Sequence, residues 1–265
     1  MGRYQSEEVD AGFPEDIQPQ DTHLPWIDIH GHHHQLTWNA LEQYALTGCR
    51  AVVMAVGNVG SQCPYRPISG SDVQTQWDRV LRACHTIGRS FPFEAHAAVG
   101  VHTTNGPVED IDTLLDRLPA YLDRDEIVAV SEIGITTIQE HETLPLDTQR
   151  QLLQTHLEQA LDAGLPAVVH TPTIRRGQSD YAAVSTETHT TGSKVLDPET
   201  AKIDGTKLAV EIADEVGFPH SQLVLTHGHR TMAPWVLEHT DCYVSFTIGP
   251  GEFVVKPRGV WHTFW

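Results

Sequence analysis

The stretch WIDIHGHHHQ, residues 26–35, places four histidines in five positions: His30, His32, His33 and His34. Neutral imidazole is a good ligand for divalent metals and titrates near neutral pH, so such a cluster suits metal binding or proton transfer. Three further chemistry-bearing residues each close a short apolar run: Glu132 in VAVSEIGI, His170 in PAVVHT and His227 in QLVLTHGH. An ionised carboxylate at the end of an apolar segment is costly unless something neutralises it, and a coordinated cation does so. A lone histidine in such a place is more often a hydrogen-bonded structural residue. The ordered set of HxH, Glu, His and His points instead to a site for divalent metal.

For these residues to meet, the chain must bring distant segments together. Short β-branched runs alternate with helical patterns. PWIDIH (25–30), RAVVMAV (50–56), EAHAAVGVH (94–102), EIVAVSEIGI (126–135), PAVVHT (166–171), QLVLTH (222–227) and DCYVSFTIG (241–249) read as strands. Helices are expected over NALEQYALTG, SDVQTQWDRVLRACHTIG (capped by Ser71 or Asp72), EDIDTLLDRLPAYL, LDTQRQLLQTHLEQALDAG, TKLAVEIADEVG and APWVLEHT. In the fourth of these, Leu153, Leu157, Ala160 and Leu161 form an apolar face and Gly164 ends the helix.

Repeated βα units predict an α/β fold with a parallel sheet. Polar residues at the strand ends favour a TIM-type (β/α) barrel with seven recognisable strands and its site at their C-terminal ends. A doubly wound open sheet is the alternative, but no glycine-rich phosphate loop follows the first strand. Residues 28, 30 and 32 share a parity and are expected to face the barrel interior. Asp28 would then support a ligand histidine from behind, His33 would face a helix or solvent, and His34 would line the rim. Residues 174–205 are polar and without period, and read as a long inserted loop beside the site. Residues 1–24 read as an acidic tail ahead of one domain over 25–265.

Acids outnumber bases 35 to 17, for a formal charge of −18, and the only lysines are Lys194, Lys202, Lys207 and Lys256. Such a surface repels nucleic-acid backbone, which argues against an extended nucleic-acid-binding face. It also fits a halophilic source, where salt screens the self-repulsion. No apolar run reaches the roughly 18 residues of a membrane span, and the N-terminal stretch lacks the apolar core of a signal peptide. Cys49, Cys63, Cys84 and Cys242 form no CxxC pair and read as reduced thiols. These features point to a cytoplasmic protein without membrane contact.

DIHGH, AAVGVH, VSEIGI, the helix running into AVVHT, and VLTHG, taken in this order, resemble the TatD-related metal-dependent hydrolases, a family of amidohydrolase-like TIM barrels. The resemblance covers about Ile27 to Gly249. It implies one or two divalent ions, with His30 and His32 holding the first, Glu132 bridging, and His170 and His227 holding the second. Such a pair polarises a phosphoryl or carbonyl oxygen and activates water. Nitrogen and carboxylate ligands suit Zn, Mn, Fe or Ni, with Mg admissible in the more oxygen-rich half. The expected activity is hydrolysis of a phosphodiester, nuclease-like, or of a related ester, on a small molecule or nucleic-acid fragment. His102, Arg175 and Arg230 are the expected substrate contacts. Amide or lactone hydrolysis on the same site is the alternative.

The chain departs from the family where HP is replaced by His102-Thr103 and an Asp by Thr136. The larger departure is that no Asp follows Asp241, although the family carries an eighth strand ending in one. The acid-free stretch 253–265 reads as a truncated or frame-shifted tail. A catalytically weakened metal-binding relic is therefore a further alternative. An unclosed barrel would expose strand edges and favour a homo-oligomer.

Overall fold

Seven parallel strands alternate with helices in the computed structural model, which describes residues 25–56, 69–103, 109–138, 143–174, 181–182, 195–248 and 263–264. In chain order the elements are β1 (Trp26–Gly31), α1 (Trp38–Leu46), β2 (Cys49–Ala55), α2 (Gly70–Ser90), β3 (Glu94–Val99), α3 (Ile111–Leu115), α4 (Leu118–Leu122), β4 (Ile127–Gly134), α5 (Leu146–Ala163) and β5 (Ala167–His170). A short antiparallel pair follows, β6 (Tyr181–Ala182) with β7 (Val195–Leu196). Then come α6 (Pro198–Val216), β8 (Leu223–Leu225), α7 (Ala233–His239), β9 (Tyr243–Val244), β10 (Thr247–Ile248) and β11 (Thr263–Phe264).

The main sheet runs β1-β2-β3-β4-β5-β8-β9, each strand parallel to the next. It must curl. In a flat sheet, with strands about 4.8 Å apart, the ends of β1 and β8 would lie more than 20 Å from one another. Yet His30 at the end of β1 and His227 just past β8 both lie within 3.7 Å of one Glu132 oxygen. The alternation of side chains agrees. Ala98, Ala129 and Val168 form a small cluster inside the curl with Val53 and Val224. Their neighbours of opposite parity, such as Val52, Val99, Val130, Val169 and Leu225, pack against the helices in the main core. Among the described residues β1 and β9 do not pair, and these edge strands carry exposed Ile27, Ile29 and Tyr243. The seven strands thus form a curled half-barrel, consistent with the TIM-type (β/α) barrel expected from the βα alternation.

Several local expectations are corrected. The cap of α2 is Ser69, not Ser71 or Asp72; Ser69 and Asp72 form a reciprocal capping box. The pattern over 109–122 is two short helices, broken where Pro119 cannot continue the first. Leu161 is 39% exposed and does not share the buried face of Leu153, Leu157 and Ala160. The last expected strand is two short pieces, and β10 pairs parallel with β11. The inserted segment ends sooner than its polarity implied. Helix α6 starts at Pro198, with the Asp197 carboxylate accepting from the Thr200 N–H. The tail over 1–24 and most of 175–194 lie outside the described residues.

Candidate metal centre

Glu132 is the hub. Strict alternation from Ala129 on β4 would send residue 132 toward the helices. The β4–β5 register shifts between Val130 and Ile133, and such an irregularity re-aims the side chains within it. Glu132 then faces inward, 4% exposed, and Ile133, which alternation would turn inward, packs in the outer core. A matching shift in β1, between Asp28 and Gly31, brings His30 toward Glu132.

Five imidazoles surround the carboxylate. His30 Nε2 lies 3.5 Å from Oε1, His102 Nε2 3.6 Å, His170 Nδ1 3.5 Å and His227 Nε2 3.7 Å, while His32 Nε2 lies 3.7 Å from Oε2. These gaps are longer than good hydrogen bonds. Among the described residues, two groups have the spacing to hold a cation: His30, His32 and Glu132; and His102, Glu132 and His170.

The chemistry of the donors fits a metal. His32 Nδ1 lies 3.0 Å from the Ala55 carbonyl, to which it donates, so Nε2 presents a lone pair toward Glu132. Burial pushes His32 down to about 3, and burial likewise pushes His170 and His227 below the ordinary histidine range. Burial alone would raise the Glu132 carboxyl, but interactions with His102, then His170 and His227, hold it well below the carboxylate range. The neutral imidazoles of His32, His170 and His227 therefore face an anionic carboxylate across gaps that a cation could span. His30 Nε2 and both ring nitrogens of His170 are buried without a hydrogen-bond partner, a state that is uncommon unless an ion completes it.

Of the residues singled out from sequence, His30, His32, His170 and His227 converge on Glu132. His102, expected to touch substrate, lies as close to Glu132 as the expected ligands do, and its ring meets that of His170 at 4.7 Å. Asp28 does not turn inward with His30. Its Oδ1 accepts from the His30 backbone N–H, and its Oδ2 accepts from His33 Nε2 and the Tyr44 hydroxyl on α1. It thus fixes the backbone at the strand end rather than a ligand ring. His33, 1% exposed, faces α1 through this network. His34 stands beside His32, ring centroids 6.1 Å apart, on the rim. Arg230 does not join the site: it is 83% exposed and pairs with Glu199. Arg175 lies outside the described residues.

Sequence reasoning missed His156 on α5, fully buried beneath the site. It accepts the Val101 N–H at Nε2 and donates from Nδ1 to the Leu152 carbonyl, so it supports the segment leading to His102. Burial pushes it down to about 4. His32 and His156 resist protonation when folded but take up protons near pH 6.5 when unfolded. The unfolded state thus binds more protons below pH 6.5, so stability is full above that pH and falls as pH drops toward 4. The slope is about 1.4 kcal/mol per pH unit for each such histidine. Denaturant melts of the metal-free chain should show midpoints falling from pH 7 to pH 5; a flat profile would contradict the buried neutral assignment.

Residues 27–247 match the family described as TatD related DNase. The chain belongs to this family. It is accordingly a TatD-type hydrolase whose histidine–glutamate clusters are suited to a metal ion. An uncharacterized metal-dependent hydrolase of Methanocaldococcus jannaschii is 25% identical over 224 residues, covering 84% of this chain and 73% of that protein. The fold matches that of the TatD-like protein of Archaeoglobus fulgidus with a TM-score of 0.59 at 22% identity, over 84% of this chain and 76% of that one. It also matches the phosphotriesterase homology protein of Escherichia coli, solved with phosphate in its active site. There the TM-score is 0.50 at 15% identity, over 86% of this chain and 71% of that one. Among the described residues no helix is long and apolar enough to cross a membrane.

Proposed function

We propose that this TatD-family chain hydrolyses a phosphodiester or related phosphate ester with one or two divalent ions held at Glu132. The observation that carries this reading is the buried Glu132 carboxylate ringed by five imidazole nitrogens at 3.5–3.7 Å. His30 and His32 with Glu132 would hold one ion, and His102, His170 and His227 with Glu132 the other. A bound ion supplies Lewis acidity toward the ester oxygen and lowers the pKa of water. Glu132, kept ionised, faces both groups of imidazoles and would supply the anionic charge that a cation needs at either one. Asp28 and His156 hold the backbone of β1 and of the β3 end, so the donors stay aimed. The family description and the phosphate in the Escherichia coli structure support a phosphate ester as the reacting group.

The test is hydrolysis of bis-p-nitrophenyl phosphate, short single-stranded DNA, a carboxylic ester and a lactone, with Zn, Mn, Mg, Fe or Ni and after chelation. Phosphodiester turnover that chelator abolishes and metal restores is expected. Turnover confined to the lactone or carboxylic ester would overturn the substrate class. Metal uptake with no turnover on any substrate would favour the weakened, metal-holding reading.

A further inference from the structure

Lys202 on α6 is 0% exposed, in a chain with very few lysines. Burying an ammonium costs several kcal/mol unless its surroundings compensate, so its place in the fold calls for a reason. Its Nζ donates to Thr171 Oγ1. That hydroxyl has one proton, which it donates to the Thr226 carbonyl at 2.6 Å. Thr171 follows His170, and Thr226 precedes His227. The β5–β8 ladder has its last rung at Val169 and Leu225, short of both histidines. Beyond that rung the two strand ends are tied by the Thr226 N–H to Val169 carbonyl bond and by the Thr171 hydroxyl, with Lys202 behind it.

Helix α6 is seated closely enough to set this chain of bonds. Thr137, just past β4, donates to the Ala201 carbonyl at 2.8 Å. A Cβ at Gly205 would lie 2.5 Å from the Pro172 ring, so the helix backbone runs against the residue after Thr171. The His227 that this end carries takes φ 55°, a left-handed conformation that costs a non-glycine residue roughly 1–2 kcal/mol and persists only under constraint.

We infer that Lys202 is a positioning residue for the metal centre: through the Thr171 hydroxyl it locks the ends of β5 and β8, and so holds His170 and His227 on Glu132. The inference rests on the metal-site reading above, but its test includes a measurement that needs no metal. In the metal-free chain, amide hydrogen exchange at Thr226 should accelerate at least about tenfold in Lys202→Met and Thr171→Val, and stay at the parent rate in Thr171→Ser, which keeps the hydroxyl. In chelator-competition titrations with Zn, the first two variants should bind about 10- to 100-fold more weakly, as loss of such supporting contacts does, and Thr171→Ser should not. Parent-like exchange in Lys202→Met would overturn the assignment, as would equal loss in Thr171→Ser and Thr171→Val. Failure of the parent to bind Zn at all, with the exchange pattern as expected, would overturn the metal-site reading and leave the clamp standing.

Discussion

Glu132→Gln is expected to lose metal binding and hydrolysis together while the metal-free fold survives. The two side chains have the same shape, so the core around Ile133 and Val130 need not repack. What changes is charge and lone pairs. The carboxylate offers an anionic oxygen to each ligand group, Oε1 toward His30, His102, His170 and His227 and Oε2 toward His32. Glutamine offers one neutral oxygen and an NH₂ that donates to the His32 Nε2 lone pair, satisfying the apo site and blocking a cation at once. The activity should fall by about a thousandfold or more, the scale seen when a preorganised charge at the reacting centre is removed. Metal content per chain, measured after dialysis, should fall well below that of the parent. A variant that keeps its metal and its turnover would remove Glu132 from the centre of the site.

The same geometry shows which features of the site the residues alone disclose. The βα alternation and the metal-capable strand ends were legible because burial forces short β-branched runs, and because an ordered set of one carboxylate and several histidines closing four such runs is hard to account for as separate structural residues. The inward aim of Glu132 was not legible: simple alternation from Ala129 sends it outward, and the register shift that corrects this leaves no mark in the residue pattern. Asp28 was misread for the same reason, since parity from His30 put it inside while the shift in β1 leaves it against Tyr44. His102 looked like a substrate contact because it ends the third strand, where a side chain faces the site, and only the curl of the sheet shows its distance to Glu132. Lys202 was hidden in polar sequence, although Asp197-Pro198-Glu199-Thr200 carries a helix-start signal that was overlooked.

Gly134→Ala is the second large effect, and it separates the role of this glycine from that of glycine in general. Gly134 has φ +149°, a region L-residues avoid, and a Cβ there would lie 2.2 Å from the His170 carbonyl oxygen and 2.6 Å from its nitrogen. Both offending atoms are backbone, so no side-chain rotation relieves the clash. The pair is a rung of the sheet, Gly134 opposite His170, with the Ile135 N–H donating to the same His170 carbonyl. The methyl group must therefore push the end of β5 away from β4, carrying His170 off Glu132. Strain and overpacking together should cost about 2–5 kcal/mol, lowering the melting temperature by roughly 5–15 °C, and metal affinity should fall as well. Gly164→Ala is the control. It also has positive φ, +67°, but nothing lies within 4 Å of its added Cβ. It should cost about 1 kcal/mol and leave metal affinity at the parent value, because the left-handed cap of α5 is all it disturbs. If both variants lose stability equally and both keep the metal, then the approach of β4 to β5 is not what aims His170.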